Sequence, residues 1–276
     1  MKNYLFILLI CLGCASKKEI VVPKFESKIV SNEKLSCRAI FVDTDKVWLG
    51  MDKGRFGFYD KKKDTLVLKT IQSVSNTTEF RSIAATNDAI FILTVGNPAI
   101  LFKIDKKSLQ ETIVYQEENE KVFYDSMQFV DNLNGFAMGD PTEDCLSFIK
   151  TADGGNSWEK VSCANFPKVS EGEAAFATSN TNLIVKGKSI FMVSGGKKSR
   201  VFVSHDFGTS WQVYETPIVQ GEEMTGIFTA DFYDAKNGII AGGNYEKQEQ
   251  NWSNKATTTD GGKTWKLIAN NEAFGY

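Results

Sequence analysis

The sequence Thr151-Ala152-Asp153-Gly154-Gly155-Asn156-Ser157-Trp158 has two further copies in this chain of 276 residues, and all three follow the pattern S/T-x-D-x-G-x-S/T-W. The other two copies are Ser204–Trp211 and Thr258–Trp265. The aspartates of the three copies, Asp153, Asp206 and Asp260, lie 53 and 54 residues apart. A fixed period of this length is typical of a repeat architecture.

The residue types of this motif favour a tight turn that leads into a strand. An Asp carboxylate accepts hydrogen bonds from backbone N–H groups just after it, and Gly adopts positive φ without a steric penalty. Ser or Thr adds a local hydrogen bond, and Trp brings a large apolar surface to the start of the next strand. Each copy therefore predicts a hairpin turn between two strands.

The repeat continues towards the N-terminus in a weaker form. Polar turns around Asp60 and Asp105 each lie between two β-rich stretches, at intervals close to that of the motif. Turns at 60, 105, 153, 206 and 260 imply five repeats.

Every repeat also has two recognisable strands before its turn. The first strand combines small with apolar residues, which suits the crowded inner strands of a radial fold, and the five candidates are Arg38–Phe41, Arg81–Ala84, Asp125–Gln128, Glu173–Phe176 and Thr225–Phe228. The second strands are predicted at Lys46–Gly50, Ala89–Val95, Gly135–Gly139, Ser189–Gly195 and Gly238–Gly243. With the two strands that flank each turn, the repeats predict an all-β fold: a β-propeller of four-stranded antiparallel blades.

We expect five blades, at about residues 35–72, 78–115, 122–163, 171–219 and 223–268, within a propeller domain of residues 20–276. Residues 20–30 resemble the outer strand that follows a turn, so we expect them to complete a closing blade. The last residues, Asn271–Tyr276, resemble the lead-in to another inner strand. An open ring would leave unpaired edges. We therefore expect a six- or seven-bladed ring whose C-terminal blade or blades are missing here.

The repeated motif resembles the Asp-box, or BNR repeat, of β-propellers. Residues 35–276 resemble bacterial secreted Asp-box propellers related to the photosystem II assembly factor and sortilin-like repeats. Sialidases and xyloglucan-hydrolysing glycosidases carry the box as well. In these families the box lies on the outer edge of a blade, away from the functional site. The resemblance therefore implies a structural role for Asp153, Gly155, Trp158, Asp206, Gly208, Trp211, Asp260, Gly262 and Trp265.

The N-terminus predicts secretion. Lys2 precedes an apolar run from Tyr4 to Leu12, a pattern typical of a signal peptide over residues 1–13 and too short to span a bilayer. Gly13-Cys14 resembles the lipobox of bacterial lipoproteins, although Cys11 stands where Leu is usual. That resemblance implies a lipid on Cys14, a tether over residues 14–19 and, by analogy with enterobacterial sorting, an outer membrane lipoprotein of the cell envelope.

Three cysteines, Cys37, Cys145 and Cys163, follow Cys14. Cys145 and Cys163 are placed almost symmetrically about the turn at Asp153, so a hairpin centred there makes them neighbours on adjacent strands. In an oxidising compartment we expect them to form a disulfide. Cys37 is then left as a free thiol, or with a partner outside this chain.

The composition excludes several classes of function. The formal net charge is −2, so the chain lacks the basic field that nucleic acids attract. The single histidine, His205, argues against a nucleophilic triad and a histidine-rich metal site. We find no dinucleotide or flavin fingerprint and expect no cofactor, no metal and a monomeric protein.

Candidate binding residues follow from the position of the inner strands. We expect Arg38, Arg81, Asp125, Glu173 and Thr225 at equivalent positions around the mouth of the central channel. Residues near the rim of this mouth are Glu171, Glu222, Glu223, Asp140, Lys197, Lys198, Arg200, Asn244 and Tyr245. Such a ring suits a small polar ligand or a glycan, although charges at this place also commonly pair with each other or with water.

Two functions remain open. The first is a lipid-anchored binding or scaffold module for an envelope protein or glycan. The second is a carbohydrate-active hydrolase with Asp125 and either Glu173 or Asp140 as its two carboxylates. A sialidase is the weaker version of the second, because Phe80-Arg81-Ser82-Ile83 lacks the Pro of the sialidase motif and Arg38, Arg81 and Arg200 do not follow the spacing of its arginine triad.

Overall fold

The computed structural model describes residues 24–176 and 180–272, in two units, Met1–Asn32 and Glu33–Tyr276. In the first unit, residues 24–30 contain no strand, and the role of residues 20–30 in a closing blade stays a prediction. The signal peptide, the tether and the lipidation site Cys14 lie outside the described residues. Within the described residues, no helix is long and apolar enough to cross a membrane.

The second unit is a β-propeller fold with five blades, as predicted. Blade 1 consists of β1 (Cys37–Val42), β2 (Lys46–Met51), β3 (Arg55–Asp60) and β4 (Thr65–Thr70). Blade 2 consists of β5 (Phe80–Ala85), β6 (Ala89–Thr94), β7 (Ala99–Asp105) and β8 (Glu111–Glu117). Blade 3 consists of β9 (Tyr124–Phe129), β10 (Gly135–Gly139), β11 (Ser147–Thr151) and β12 (Glu159–Lys160).

The fourth repeat contains β13 (Glu173–Ala174), β14 (Leu183–Lys186), β15 (Ser189–Val193), β16 (Gly195–Gly196), β17 (Arg200–Ser204) and β18 (Gln212–Glu215). Blade 5 consists of β19 (Thr225–Phe232), β20 (Gly238–Asn244), β21 (Lys255–Thr258) and β22 (Lys266–Leu267). In blades 1, 2, 3 and 5 the strands β1–β4, β5–β8, β9–β12 and β19–β22 pair antiparallel in chain order, which is the pattern of a simple meander. The predicted second strands agree with β2, β6, β10, β15 and β20 to within two residues at each end.

The apolar core lies between the faces of successive blades. Ile83 and Trp48 belong to the cluster between blades 1 and 2, and Phe91 belongs to the cluster between blades 2 and 3. Two further clusters join blade 3 to blade 4 and blade 4 to blade 5. Strands such as β6 and β15 are buried along their whole length, since both of their faces pack against a neighbouring blade.

The three repeated turns join the last two strands of blades 3, 4 and 5, as the hairpin prediction required. The contacts of the Ser/Thr, Asp and Gly residues recur in each copy, as the turn of blade 3 illustrates. Asp153 Oδ1 accepts the N–H groups of Asn156 (2.9 Å) and Ser157 (3.1 Å), and its Oδ2 accepts the Ser157 hydroxyl (2.7 Å). Gly155 has φ of 73° and donates to the Thr151 hydroxyl at 3.0 Å.

The tryptophan of each turn packs between its own blade and the preceding one. Trp158 contacts Phe91 and Phe129 edge-on, with ring centroids 6.2 and 5.6 Å apart. Trp211 meets Phe148 in the same manner, at 5.2 Å. The repeated motif thus fixes both the turn and the spacing of neighbouring blades.

One prediction about blade 4 is wrong in detail. Its first strand is not the continuous segment Glu173–Phe176 but is divided into β13, which pairs with β16, and β14, which pairs with β15. Residues 175–182 intervene. Gly195 of β16 also pairs with Gly226 of β19, so blade 5 belongs to a six-stranded sheet. The contact needs glycine, because a Cβ on Gly226 would lie 2.3 Å from the Cα of Gly195.

The end of this intervening segment joins several blades. Asn180 accepts a hydrogen bond from Met127 N in blade 3 (3.0 Å) and donates to Ile83 O in blade 2 (2.8 Å). Ala230 N of blade 5 donates to Thr181 O at 3.1 Å. These bonds draw the inner strands of blades 2, 3 and 5 towards blade 4.

The predicted disulfide between Cys145 and Cys163 is present. Both cysteines are buried in the cluster between blades 3 and 4. Cys37 is a free, exposed thiol at the start of β1.

Candidate functional site

Three of the five residues expected around the channel mouth share a local distortion. Arg38, Arg81 and Asp125 are each passed over in the pairing of the first strand with the second, at register shifts in β1, β5 and β9. Such bulges redirect a side chain from the regular alternation of a strand. Glu173 and Thr225, in contrast, pair directly with Gly196 and Asn244. The five positions are therefore not equivalent in the way that the sequence suggested.

Asp125 is the most unusual of these residues. It is 2% exposed, and neither of its carboxylate oxygens has a hydrogen-bond partner. Burial raises the pKa of this carboxyl well above its ordinary range, the neighbouring Asp140 carboxylate raises that pKa further, and Arg81 opposes both effects. The Arg81 guanidinium donates to Glu79, with a shortest distance of 3.2 Å.

Asp140 lies beside Asp125 because of the bulge. Gly139 pairs with Tyr124, and Asp140 N donates to Phe123 O at 2.7 Å, so β10 passes directly along the bulged residue. Asp140 Oδ1 accepts the Ala175 N–H at 2.9 Å. Burial raises the pKa of Asp140 to about 6, although that hydrogen bond opposes the rise. The structure thus brings together the carboxylates of Asp125 and Asp140.

Glu173 is separate from that pair and is held in an ion pair. Its carboxylate accepts Arg200 Nε (2.9 Å) and Nη2 (2.5 Å), the Ser194 hydroxyl (2.6 Å) and Ser170 N (2.8 Å). The Glu173 side chain has no exposed surface. Four donors satisfy the lone pairs of this carboxylate, so it is arranged as a structural group.

A groove of about 590 Å³ opens between blades 3 and 4 above these residues. It is lined by Lys121, Asp140, Pro141, Glu143, Asp144 and residues 169–174. Glu143, Asp144 and Glu171 are exposed. Since Arg200 neutralises Glu173, the lining carries more negative than positive charge.

The remaining predicted residues form local contacts or are exposed. Asn244 and Lys247 both donate to Glu222, at 2.9 and 3.1 Å. Glu223 and Lys197 are exposed, and the stem of Lys197 lies against Gly172 at the edge of the groove. Lys198 pairs with Glu215 at 3.6 Å, and Tyr245 is exposed.

Among the described residues, one group of acidic and sulfur side chains is compact enough to suggest a metal ligand set: Glu143, Asp144 and Cys163. Cys163 is bonded to Cys145, so its sulfur is not a thiolate. The Lys168 ammonium group donates to Asp144 Oδ1 at 2.6 Å, so this carboxylate already has a cationic partner. This group is a poor metal site.

Sequence reasoning missed Ser170 and Ser194, which bond to the Glu173 carboxylate. It also missed Asn180 and Asn182, which bond to the inner strands of neighbouring blades. One signal was available. Glu173 and Ser189 are 16 positions apart, whereas Asp125 and Gly135, at the corresponding place in blade 3, are 10 positions apart. The extra length falls in the part of blade 4 that contains Asn180 and Asn182.

A second groove, of about 480 Å³, lies at the outer edge between the turns of blades 3 and 4, where Asp153, Trp158 and Thr209 line it. It contains no buried or unpartnered charge. The groove beside Asp140 is therefore the better candidate site.

Comparison with known proteins supports the fold. No family model matches the chain, and no curated protein matches it. Among solved structures, it is similar to U3-55K (10% identity, TM-score 0.61, 86% of this chain and 65% of that one). It is similar to a chain of the mitotic checkpoint complex (7% identity, TM-score 0.59, 86% of this chain and 65% of that one).

The chain is also similar to YCF48 from Cyanidioschyzon merolae (10% identity, TM-score 0.50, 86% of this chain and 85% of that one). The chain spans less than two thirds of the length of U3-55K. At these identities the likeness is one of fold alone: the chain has the β-propeller fold that these proteins share.

Proposed function

We propose that this chain is a lipid-anchored binding or scaffold propeller of the bacterial cell envelope, and that the groove between blades 3 and 4 contacts a protein or glycan partner. The proposal places the lipid on Cys14 and the chain at the outer membrane. Asp153, Asp206, Asp260 and the other motif residues have structural roles in it, as in Asp-box propellers.

The state of the candidate carboxylates carries the proposal. A catalytic acid or base must exchange a proton with its substrate and must therefore be reachable. Asp125 is 2% exposed, and the lone pairs of Glu173 are taken by Arg200, Ser194 and Ser170. The groove instead presents exposed side chains, Glu143, Asp144 and Glu171, on a fixed frame. This arrangement favours recognition over turnover.

The fold is in keeping with that role. The mitotic checkpoint complex contains a propeller of the same fold within a multi-protein assembly. Recognition at the groove would favour a partner that brings hydroxyl or positively charged groups to the acidic lining.

Photo-crosslinking tests the binding role. A photoreactive amino acid replaces Glu171 at the groove, and in a matched variant it replaces Lys263, an exposed residue in the turn of blade 5. We expect a discrete adduct in intact cells from position 171 and none from position 263. Equal labelling at both positions, or at neither, would contradict the proposal.

The alternative, a carbohydrate-active hydrolase, has one observation in its favour. Asp140 lines the groove with a pKa raised to about 6, and a carboxyl that is still partly protonated near neutral pH suits a general acid. Its partner carboxylate in this hypothesis, Asp125, is buried, and this burial counts against the hydrolase. Hydrolysis of a glycan panel that disappears in Asp140→Asn would establish this function and displace the first.

The anchor has its own test. We expect the wild-type protein to incorporate radiolabelled palmitate and to sediment with outer membranes. The Cys14→Ser variant should lose the label and the sedimentation, while Cys37→Ser, the control, should keep both.

A further inference from the structure

The buried Asp125 carboxylate has no hydrogen-bond donor to compensate a negative charge. Both of its oxygens are buried without a hydrogen-bond donor, and Arg81, whose positive charge acts on Asp125, is shared with Glu79, to which it donates. An ionised carboxylate in such surroundings is strongly unfavourable unless a counter-charge accompanies it. The group therefore requires either a proton or a cation.

A further buried oxygen without a hydrogen-bond partner belongs to Asn182. Asn182 is fully buried, its Nδ2 donates to Phe176 O, and its Oδ1 has no hydrogen-bond partner. The backbone N–H of Asn182 donates to Ser126 Oγ at 3.1 Å, which fixes Asn182 beside the residue that follows Asp125. Oδ1 of Asp140 accepts the Ala175 N–H, so Oδ2 of Asp140 is the oxygen that could bind a cation.

These contacts place the three side chains around one short piece of backbone. Asp140 bonds to Ala175, Asn182 bonds to Phe176, and the bulge puts Asp125 beside Asp140. Two carboxylates and an amide carbonyl make an oxygen-only donor set with an excess of negative charge. Hard cations, and Ca²⁺ in particular, take such ligands in flexible geometry and complete their shell with water.

The groove reaches this group of three side chains at Asp140. Asp140 lines it, and the exposed carboxylates of Glu143, Asp144 and Glu171 surround the opening. A concave surface with one sign of charge raises the local concentration of the opposite ion.

We propose that Asp125, Asp140 and Asn182 form a Ca²⁺-binding site between blades 3 and 4. The ion bridges the bulge of β9 to the segment that leads into β14. It thereby links Asp140 of the groove lining to the buried Asp125, and it adds to the positive charge that Arg81 provides near Asp125.

Calorimetric titration and thermal unfolding test this site on the full chain after treatment with EDTA. We expect one Ca²⁺ per chain and, at a 100-fold excess over Kd, a rise in Tm of about 5–10 °C. Asp140→Asn should abolish both, while its Oδ1 can still accept the Ala175 N–H and preserve the local fold. Asp125→Asn should also abolish both.

The matched control is Glu143→Gln, which removes one exposed carboxylate from the rim of the same groove. This variant should bind Ca²⁺ with the wild-type stoichiometry. Loss of binding in Glu143→Gln alone would move the site to the rim and overturn the proposal. A wild-type Tm unaffected by Ca²⁺, together with a higher Tm of Asp125→Asn without Ca²⁺, would also overturn it and identify Asp125 as a protonated acid.

Discussion

At the scale of single residues, the aspartates of the repeated turns are ionised anchors of local structure. Asp153, Asp206 and Asp260 each accept several hydrogen bonds from the residues that follow, and these bonds lower the pKa of each carboxyl to about 2. A group with a lowered folded pKa stabilises the protein above its unfolded pKa, near 4. That stabilisation is lost as the pH falls from about 4 to about 2.

Asp206→Ala tests the contribution of one turn. We expect it to lower the free energy of unfolding at pH 7 by about 1–2 kcal/mol, because two backbone N–H groups and two hydroxyls lose a charged acceptor. Urea unfolding at pH 7 and at pH 2.5 measures the effect, and the difference between variant and wild type should shrink at the lower pH. Asp88→Ala, at another exposed aspartate, serves as the control and should be close to neutral at both pH values.

The Glu173–Arg200 ion pair is the second feature at this scale. Arg200→Met leaves a buried carboxylate without its cation, and we expect a loss of about 3–5 kcal/mol. The double variant Arg200→Met/Glu173→Gln should lose less stability than the sum of the two single losses, by at least about 1 kcal/mol. Urea unfolding of the four proteins gives the coupling. Additive losses would show that the two side chains act independently.

At the scale of elements, the sequence predicted what is periodic and missed what is irregular. The turn at Asp153 and strands such as Gly135–Gly139 follow from a repeated pattern of turn, small and apolar residues. The division of the first strand of blade 4 breaks that pattern. It depends on contacts that no local pattern encodes, such as Gly195 against Gly226.

The candidate site shows the same limit. The sequence placed Asp125, Asp140 and Glu173 at one end of the propeller. It did not distinguish the satisfied carboxylate from the unsatisfied one. The satisfied carboxylate is that of Glu173, which pairs with Arg200 of β17. The unsatisfied carboxylate is that of Asp125, which lies at the one-residue bulge in β9.

The disulfide in blade 3 is an element whose contribution to stability is measurable. It links Cys145 to Cys163 across 18 residues of chain. Replacing both cysteines by Ala should lower the free energy of unfolding by about 3 kcal/mol, mainly because the unfolded chain gains freedom. Guanidinium unfolding measures the change, and Cys37→Ser should have little effect. Peptide mass spectrometry should find Cys145 linked to Cys163; thiols alkylated at both positions without reductant would contradict the assignment.

At the scale of the whole molecule, the blades cohere in two ways. Apolar clusters hold each blade to the next, as in the stacked rings of Phe191 and Phe232, whose centroids are 3.6 Å apart. Hydrogen bonds near the inner strands also join blades that do not follow each other in the chain. Asn180 contacts blades 2 and 3, and Thr181 contacts blade 5, so a short segment of blade 4 connects blades that lie on different sides of it.

Asn180→Ala tests whether this segment matters for the inner strands as a group. The variant removes the side-chain amide that pairs with the N–H of Met127 and the carbonyl of Ile83, and we expect a loss of about 1–3 kcal/mol in the free energy of unfolding. Hydrogen exchange should report where the loss falls. The amide of Met127 should exchange faster, and so should neighbouring amides of β5 and β9.

Blade 1 provides the internal reference for this experiment, since β2 and β3 pair within their own sheet, away from Asn180. Their amides should keep wild-type protection if the effect is local to the inner strands of blades 2 and 3. A uniform rise in exchange across all blades would mean that Asn180 supports only the global stability of the propeller. A rise confined to β5 and β9 would mean that Asn180, from the irregular segment of blade 4, specifically stabilises the inner strands of blades 2 and 3.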